Sequence, residues 1–436
     1  MEKYIGNKKS IVAGIEKFLL QKGIHKGLFI DAFSGTTNVG QYFKQRGYSV
    51  ICNDINEFSF VLGKVYIENN EFPAFIKLIK IINDEGFYFD EQLVDQSVEN
   101  CLKKIRNDKT YPENYIERVN YNTNIRPLIR VLQYLNNLNI ESLTLKESLF
   151  FDYYTEKGKF SKYISTRNTV GRRNYFTPEN AKHLGVIMQK INFWRDSCAI
   201  DEMEFYILLA AVIEEVTLIA NVNGTFHDFN RKKLYPNALQ KFELKAPILN
   251  IYSDSKFIYK IFNKDSNELK YDTEFMNLIK DKSILYIDPP YNFRQYSAYY
   301  HLLNFLARYH RIDDILAYAT KFKFVRGQNM EDNFNSSYCY RDQFIDVMED
   351  LILGIPSSNI VISYYDENNH WNHGKDSVSM EGRNAILEIF KEHNSLFVYD
   401  TEPHIIPRIN YQSQSGARKK QIDELIFFAR RRLNVD

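Results

Sequence analysis

The sequence predicts an α/β protein in which one sheet is interrupted by a large, mainly helical insertion. Short apolar runs that end in acidic or small polar residues occur near the N-terminus and return after about residue 245. Between about residues 72 and 240, such runs are rare, and charged, asparagine-rich segments with helical spacing dominate. Apolar runs that alternate with helical segments are typical of a sheet covered by helices.

The N-terminal elements form a helix followed by a strand, a turn, a second helix and a second strand. Residues 9–22 carry apolar side chains at helical spacing. Residues 28–30 form a short apolar strand that ends at Asp31, and the small-residue turn "FSGT" and the helical run "NVGQYFKQRG" follow. The run "YSVICNDIN" is a second strand, which ends at Asp54. This order is typical of a nucleotide-binding βαβ half.

Two segments of the insertion are candidate contacts with phosphate. Residues 157–173 are basic and contain no acidic residue, and residues 221–233 combine an Asn-Gly turn with a basic run. Phosphate contact is one interpretation, and a solvated basic loop is the other. The candidate contacts are Arg172, Arg173, Asn223, Arg231 and Lys232.

After about residue 245 the strand-like runs return. They are "ILNIYSD", "ILYIDPPY", "NIVISYYDE", "SLFVYDTE" and "DELIFFARR". The apolar run "FYILLAAVIEEVTLIA" within the insertion contains two glutamates, so it predicts a core helix and no membrane span.

Composition narrows the class of protein. The chain has 436 residues, 44% hydrophobic and 25% charged, with a net charge of +1, which is ordinary for a globular protein. The four cysteines are scattered, which argues against a disulfide framework or a zinc site and favours a reducing compartment. The charged N-terminus does not resemble a signal peptide. We therefore expect a soluble cytoplasmic protein without a metal site.

The stretch "DPPY" follows an apolar strand directly. Two prolines cannot continue a helix or a central strand, so Asp288 lies where the strand ends and the backbone after it is stiff. Open α/β sheets bind ligands at the carboxyl ends of their strands. A ligand site is therefore one interpretation of Asp288, and a surface turn is the other.

Asp31 and Asp54 indicate a cofactor at the same edge. An acid at the end of the second strand can accept hydrogen bonds from ribose hydroxyls, a role that suits Asp54. The turn between them contains one glycine, so a cofactor without phosphates fits better than a dinucleotide. Asp31 would then face a cation, and S-adenosylmethionine has a ribose and cationic groups. The alternative is that both acids cap the helices that follow.

A methyl donor beside Asp288 suggests an acceptor that is a poor nucleophile, such as the amino group of adenine. Asp288 and the carbonyl of Pro289 could accept its two N–H bonds and stabilise the charge that develops in the transition state. Tyr291 could stack on the base, which must leave the duplex to enter such a pocket.

The sequence resembles the N6-adenine DNA methyltransferases, in the group whose cofactor motifs precede the catalytic motif. The resemblance rests on "KYIGNKKSI", "DAFSGT", "NDIN", "NIYSDS", "YIDPPYNFRQYSAYYHLLNFLA", "SNIVISYYDE" and "RKKQIDELIFFARR". It implies a Rossmann-like class I methyltransferase sheet and S-adenosylmethionine as cofactor. The residues that it implies at the cofactor are Tyr4, Lys8, Asp31, Phe33, Gly35, Asp54 and Asp254, and those at the adenine are Asp288, Pro289, Pro290 and Tyr291.

The resemblance also implies a domain organisation and a partner. Residues 1–70 and 245–436 would form the catalytic domain, and residues 71–244 the inserted target-recognition region that binds double-stranded DNA with a flipped adenine. A cognate restriction endonuclease is a possible partner. The alternatives are the same chemistry on RNA or on cytosine N4, where related enzymes have Ser in place of Asp288, and a non-catalytic DNA-binding protein with a methylase shell.

Overall fold

The structure is a computed structural model that describes residues 7–252, 256–280, 282–367, 369–372, 379–409 and 421–432. The chain forms two compact units. Among the described residues, unit 1 contains 64–252 and 297–333, and unit 2 contains 7–63, 256–296 and 334–432. Residues 297–333, which the sequence analysis assigned to the catalytic domain, therefore cluster with unit 1.

The strands are short and mostly apolar. They are β1 Leu28–Asp31, β2 Ser49–Asn53, β3 Lys162–Ile164, β4 Val170–Arg172, β5 Tyr259–Phe262, β6 Ser283–Ile287, β7 Asn359–Tyr364, β8 Phe397–Tyr399, β9 His404–Ile409 and β10 Gln421–Arg431.

The α-helices differ widely in length. They are α1 Val12–Gln21, α2 Asn38–Gln45, α3 Glu57–Gly63, α4 Ile76–Asp84, α5 Glu91–Asn107, α6 Tyr115–Arg118, α7 Tyr121–Asn124, α8 Arg126–Asn136, α9 Leu149–Tyr154, α10 Pro178–Asp196, α11 Glu202–Ile219, α12 Thr273–Leu278, α13 Tyr296–Tyr299, α14 His301–Arg308, α15 Ile315–Ala319, α16 Phe344–Gly354 and α17 Glu381–Glu392.

Unit 2 is built on a mainly parallel sheet, which confirms the predicted mixed α/β class. The strand order is β5-β2-β1-β6-β7-β10-β8, and β9 pairs with β10. Within this order, β5, β2, β1, β6 and β7 run parallel to one another. Strand β10 is antiparallel to β7, β8 and β9. Strands β1, β6 and β7 are buried along their whole length. Because β2, β1, β6 and β7 are parallel neighbours, their carboxyl ends lie along one edge of the sheet.

Unit 1 is mostly helical and contains the short hairpin β3–β4. Its apolar helix α11 begins at a capping box in which Asp201 and Glu204 exchange hydrogen bonds with each other's backbone amides. Burial of nearly the whole of α11 confirms the predicted core helix. None of the described helices has the length and apolarity that a membrane crossing requires.

The prediction of a strand at "ILNIYSD" is wrong over residues 248–252, because these residues are irregular. The next strand along the chain is β5. The tyrosine hydroxyl of Tyr115 explains the difference. It donates to the carbonyl of Leu249 at 2.6 Å and accepts from the amide of Ile251 at 2.9 Å. Backbone groups that would pair in a sheet are thus satisfied by a side chain, while the apolar side chains of both residues are still buried.

Candidate active site

The candidate active site lies in unit 2, where β1, β2 and β6 end. Asp31 pairs with Tyr286 in the parallel ladder between β1 and β6, so the end of β1 lies beside the start of the Asp-Pro-Pro-Tyr segment. Asp31 is buried, and the side chain of Asp288 is 14% exposed. The predicted strand end at Asp288 is confirmed, because β6 ends at Ile287.

Asp54 organises the turn between β1 and α2. Its carboxylate accepts a hydrogen bond from the amide of Gly35 at 2.7 Å and another from the amide of Asn56 at 2.8 Å. Gly35 has a φ of 49°, a left-handed conformation that glycine adopts without strain. Phe33, in the same turn, packs its ring edgewise on Tyr338. The carboxylate of Asp54 therefore holds backbone amides that precede α2 and α3, and its contact with a ribose remains a prediction.

Lys8 connects the catalytic motif to the last strand. Its ammonium lies 3.0 Å from Oδ1 of Asp288 and also pairs with Oε1 of Glu424. Glu424 is fully buried and receives further hydrogen bonds from Ser363 Oγ at 2.6 Å and Arg408 Nε at 2.7 Å. Asp288, Lys8, Glu424 and Arg408 thus form a chain of alternating charges, which we call the buried charge chain.

The buried charge chain sets the ionisation of Asp288. Burial raises the pKa of Asp288 to about 6, with Lys8 acting in the opposite direction and Glu424 adding to the rise. Burial alone would lower the pKa of Lys8, but Asp288 and Glu424 raise it above the ordinary value. Burial also opposes ionisation of Glu424, yet Lys8 and Arg408 hold its pKa below the ordinary value. At neutral pH the four side chains are therefore two anions and two cations.

One oxygen of Asp288 remains available. Oδ1 contacts Lys8, whereas Oδ2 accepts no hydrogen bond from a described residue. Beside it, the ring of Tyr291 is only partly buried and makes edgewise contacts with Tyr364 and Tyr365 at 5.9 and 6.3 Å between centroids. The carbonyl of Tyr291 accepts a hydrogen bond from the amide of His370 at 3.0 Å, which fixes the segment after the two prolines. Pro289 is buried and Pro290 is partly buried.

Asp31 is a buried carboxylate that has no cationic partner among the described residues. Its one contact with a described donor is the amide of Phe33, at 3.4 Å from Oδ1. Burial, and next the charge of Asp288, raise the pKa of Asp31 well above its ordinary value. A positively charged ligand at this edge would relieve both effects, because it would stabilise the two ionised carboxylates together.

The predicted phosphate contact of Arg173 is wrong. Arg173 is fully buried in unit 1, and its guanidinium donates to five backbone carbonyl oxygens, one of which is that of Phe322 at 2.6 Å. The neighbouring Arg172 is exposed, although one of its nitrogens donates to the carbonyl of Gly158 at 2.9 Å. The two arginines differ because consecutive residues at a strand point to opposite faces.

The other predicted phosphate contacts lie at or next to an exposed turn of unit 1. Val222 and Phe229 form an isolated antiparallel bridge that encloses Asn223, which is exposed. Arg231 and Lys232 follow and are also exposed, although Arg231 pairs with Asp228 at 3.0 Å. Their contact with DNA remains a prediction.

Two predicted cofactor residues, Tyr4 and Asp254, lie outside the described residues. Within the described ranges, no group of three or more His, Cys, Asp or Glu side chains is placed to hold a metal ion.

The sequence analysis did not identify Glu424 or Arg408. Glu424 could have been found, because it lies in phase with Ile422 and Ile426 along β10, and a glutamate on the apolar face of a strand indicates a buried partner. Arg408 follows Pro407 in β9, and a proline within a short apolar run argues against a strand.

Comparison of the sequence with known proteins identifies a family and several relatives. The sequence model of the D12 class N6 adenine-specific DNA methyltransferase family matches residues 4–342. Modification methylase StsI of Streptococcus sanguinis is 29% identical over 431 residues, which are 99% of this chain and 52% of the relative. Type II methyltransferase M.FokI of Planomicrobium okeanokoites is 28% identical over 98% of this chain and 52% of the relative.

Type II methyltransferase M.NlaIII of Neisseria lactamica is 27% identical over 84% of this chain and 83% of its own length. The chain thus spans about half the length of the StsI and FokI relatives. No solved structure matches the chain at a significant level.

Proposed function

We propose that this chain, which belongs to the D12 class N6 adenine-specific DNA methyltransferase family, transfers a methyl group to the N6 amino group of adenine in DNA. The observation that carries the proposal is the position of Asp288. It is a largely buried carboxylate at the end of a parallel strand, beside Asp31, and one of its oxygens accepts no hydrogen bond from a described residue. In this account the sheet of unit 2 is a class I methyltransferase sheet.

The residues around the first turn fit S-adenosylmethionine. The buried carboxylate of Asp31 lacks a cation among the described residues, and the hydroxyl of Ser34 is buried without a described partner. A ligand with cationic groups and ribose hydroxyls would satisfy both. Asp31, Phe33, Gly35 and Asp54 are the described residues that we propose to hold it. When bound, S-adenosylmethionine supplies an electrophilic methyl group.

Asp288 is the proposed acceptor for the adenine amino group. The lone pair of that nitrogen is delocalised into the ring, so it gains nucleophilic character only as it becomes tetrahedral. An ionised Asp288 and the carbonyl of Pro289 would accept its two N–H bonds and stabilise the positive charge that develops there. Lys8 keeps Asp288 ionised at neutral pH, because its charge opposes the effect of burial.

Tyr291 and the two prolines would position the base. The partly exposed ring of Tyr291 provides a stacking surface for a base that has left the duplex, and base stacking on an aromatic ring contributes about 1–3 kcal/mol. The stiff Pro289–Pro290 segment limits motion between the base and the carboxylate.

Unit 1 is the proposed DNA-binding part of the chain. We propose that residues 71–244 are the inserted target-recognition region and that Arg172, Asn223, Arg231 and Lys232 contact DNA. Arg173 is removed from this set because it is buried. By likeness to the modification methylases, we propose that the enzyme protects DNA against a cognate restriction endonuclease.

The test is transfer of a labelled methyl group from S-adenosylmethionine to unmethylated duplex DNA, with RNA of the same sequences as a parallel acceptor. A nucleoside digest identifies the product. Labelled N6-methyladenine from DNA supports the proposal. Label in RNA alone, or in N4-methylcytosine, would replace it with one of the two alternative acceptors, and no transfer by a protein that binds DNA would favour a non-catalytic role.

A further inference from the structure

Packing alone does not explain why a glutamate occupies the fully buried position 424 of β10. A buried carboxylate is costly unless it is paired, and Glu424 is satisfied by Lys8, Ser363 and Arg408. An apolar residue at this position would leave no such charge to satisfy. Among the described residues, the link from Glu424 to the reactive edge of the sheet is Lys8, which contacts both Glu424 and Asp288.

We propose that Glu424 is a positioning residue for methyl transfer: through Lys8 it orients the carboxylate of Asp288 so that one oxygen contacts the lysine and the other is left for the amino group. The proposal rests on the proposed function. A lysine ammonium is a point charge on a flexible stem, so a single anionic partner would not fix its position. With Glu424 on one side and Asp288 on the other, the ammonium is held between two carboxylates.

Glu424 also balances the charge that acts on Asp288. Without it, Lys8 and Arg408 would face Asp288 as two cations, and the carboxylate would be a weaker acceptor. The groups whose charges act on Asp288, or on which Asp288 acts, are Lys8, Glu424, Arg408, Asp31, Tyr286 and Tyr291. Glu424 raises the pKa of Asp288, whereas Lys8 and Arg408 lower it.

Substitutions in the buried charge chain should therefore move the ionisation of Asp288 in opposite directions. Glu424→Gln keeps the shape of the side chain and should lower the pKa of Asp288 below about 6, whereas Lys8→Met should raise it above that value. The carbon-13 signal of the Asp288 carboxyl, assigned by its loss in Asp288→Asn, reports this pKa without requiring activity. Glu388→Gln removes the same charge from an exposed position of α17 and is the matched control.

In single-turnover methylation, we expect Glu424→Gln to lower the rate by about 10- to 100-fold and to leave the KM for the cofactor unchanged. The acid limb of its pH profile should move to lower pH, and Glu424→Asp should restore part of the rate. If the isosteric variant does not fold, Arg408→Met tests the same chain, because it should raise the pKa of Asp288.

Equal pKa values for Asp288 in the wild type, Glu424→Gln, Lys8→Met and Arg408→Met would overturn the proposal, as would a Glu424→Gln enzyme with the wild-type rate. The expected pKa shifts in the variants, together with a wild type that methylates no adenine, would instead contradict the proposed function.

A second, independent observation lies in unit 1. The side chain of Arg326 is nine-tenths buried, its Nε has no partner, and its guanidinium makes no hydrogen bond or ion pair with any described residue. It lies 4.6 Å from the ring centroid of Phe324. The acid whose charge acts on it, Asp228, is already paired with Arg231. Nε is the one nitrogen of this guanidinium that is fully buried without a described partner, so the terminal nitrogens can meet an external anion, which would supply the charge that the described residues do not.

We infer that Arg326 binds a phosphate of the DNA backbone, an inference that also rests on the proposed function. The turn that carries Asn223 packs on the same region, because the amide of Phe226 donates to the carbonyl of Tyr299 at 2.9 Å. The carbonyl of Arg326 in turn lies 3.1 Å from Nε2 of His301. The exposed Lys323 adds positive charge to the same loop.

The test is the salt dependence of binding to a duplex of arbitrary sequence. Arg326→Gln should reduce the slope of log affinity against log salt by about 0.9, the value expected for one lost phosphate contact. Arg106→Gln, an exposed and ion-paired arginine of unit 1, should leave the slope unchanged. An unchanged slope in Arg326→Gln would overturn the inference, and so would a loss confined to the modified sequence, which indicates a base contact. A wild type that binds no DNA would contradict the proposed function as well.

Discussion

Two buried cations, Lys8 in unit 2 and Arg173 in unit 1, are stabilised by different kinds of partner. Lys8 lies between two carboxylates, one of which, Asp288, has a second oxygen that accepts no hydrogen bond from a described residue. Arg173 donates to backbone carbonyl oxygens and contacts no carboxylate among the described residues. Both residues were assigned to ligand contacts from the sequence, and neither side chain is exposed.

The difference separates a charge for which we propose a function from one that holds backbone segments together. Carbonyl oxygens keep their partial charge at every pH, so Arg173 joins backbone segments and its hydrogen bonds do not depend on the ionisation of a carboxylate. Carboxylates titrate, so the ionisation of Asp288 depends on Lys8 and on the other members of the buried charge chain. Substitution of Arg173 should therefore affect folding, whereas substitution around Lys8 should affect the rate and its pH dependence.

Replacing Asp288 gives the largest expected effect. Asp288→Asn keeps the size of the side chain but removes the negative charge opposite the amino group, so kcat should fall by about 10³-fold. Single-turnover methylation measures the loss of rate. A titration with the cofactor measures its affinity, which should change little. Asp346→Asn on the exposed face of α16 is the control. Activity close to that of the wild type would exclude Asp288 from catalysis.

Arg173→Met should lower the free energy of unfolding by about 3 kcal/mol or more, because buried carbonyl oxygens lose their donor. Arg172→Met, at the exposed neighbour, should change it by less than about 1 kcal/mol. Chemical denaturation of both variants tests the contrast. Equal stabilities would mean that the carbonyl contacts of Arg173 contribute little.

The pH dependence of wild-type activity tests the ionisation that we assign to the carboxylate beside Lys8. In the proposed mechanism Asp288 must be ionised to stabilise the positive charge that develops on the amino group, and burial raises its pKa to about 6. The value of kcat/KM should therefore be constant above that pH and fall about tenfold per pH unit below it. A profile that stays flat down to pH 4.5 would contradict the ionisation that we assign to Asp288.

Asp54→Ala should weaken cofactor binding by about tenfold and leave DNA affinity nearly unchanged. The carboxylate holds the amides of Gly35 and Asn56, so its loss should disorder the turn even if it makes no contact with the ribose. Isothermal titration with S-adenosylmethionine and DNA binding at fixed salt measure the two affinities. Equal cofactor affinity in the variant and the wild type would remove Asp54 from the cofactor site.

The smallest effect is expected at the exposed basic residues. Arg172→Gln combined with Lys232→Gln should weaken DNA binding a few-fold and reduce the salt slope by about 1.8, that is, about 0.9 for each phosphate contact. Lys391→Gln, on an exposed helix of unit 2, is the control. A slope equal to that of the wild type would assign both residues to the solvated-loop interpretation.

Much of unit 2 could be predicted from the sequence, because its chemistry follows directly after apolar strands. β1, β2, β6 and β7 lie where their apolar runs predicted them, and the acids that end or follow three of them lie along one edge. The partners of Lys8 could not be predicted, because Glu424 is more than 400 residues away and only the sheet brings the two together. The resemblance associated Lys8 with the cofactor, whereas its described contacts are with two carboxylates and the ring of Tyr291.

Less could be predicted in unit 1. The basic run predicted exposed charge at both Arg172 and Arg173, but which face of a short strand is buried depends on what packs against it. Arg173 receives its acceptors from residues 322–325, far along the chain. Contacts between distant segments of irregular backbone leave no periodic pattern in the sequence, so neither this cluster nor the unpaired Arg326 could be recognised.

The most direct test of the central claim is the N6-methyladenine content of DNA from a methylation-deficient bacterial strain that expresses either the wild type or Asp288→Ala at equal levels. Mass spectrometry of the nucleosides quantifies the modification, and sequencing locates it. We expect N6-methyladenine at one recurring sequence in the wild type and none in the variant. The same modification in both strains, or none in either with folded protein present, would contradict the assignment of this edge of the sheet as an adenine methylation site.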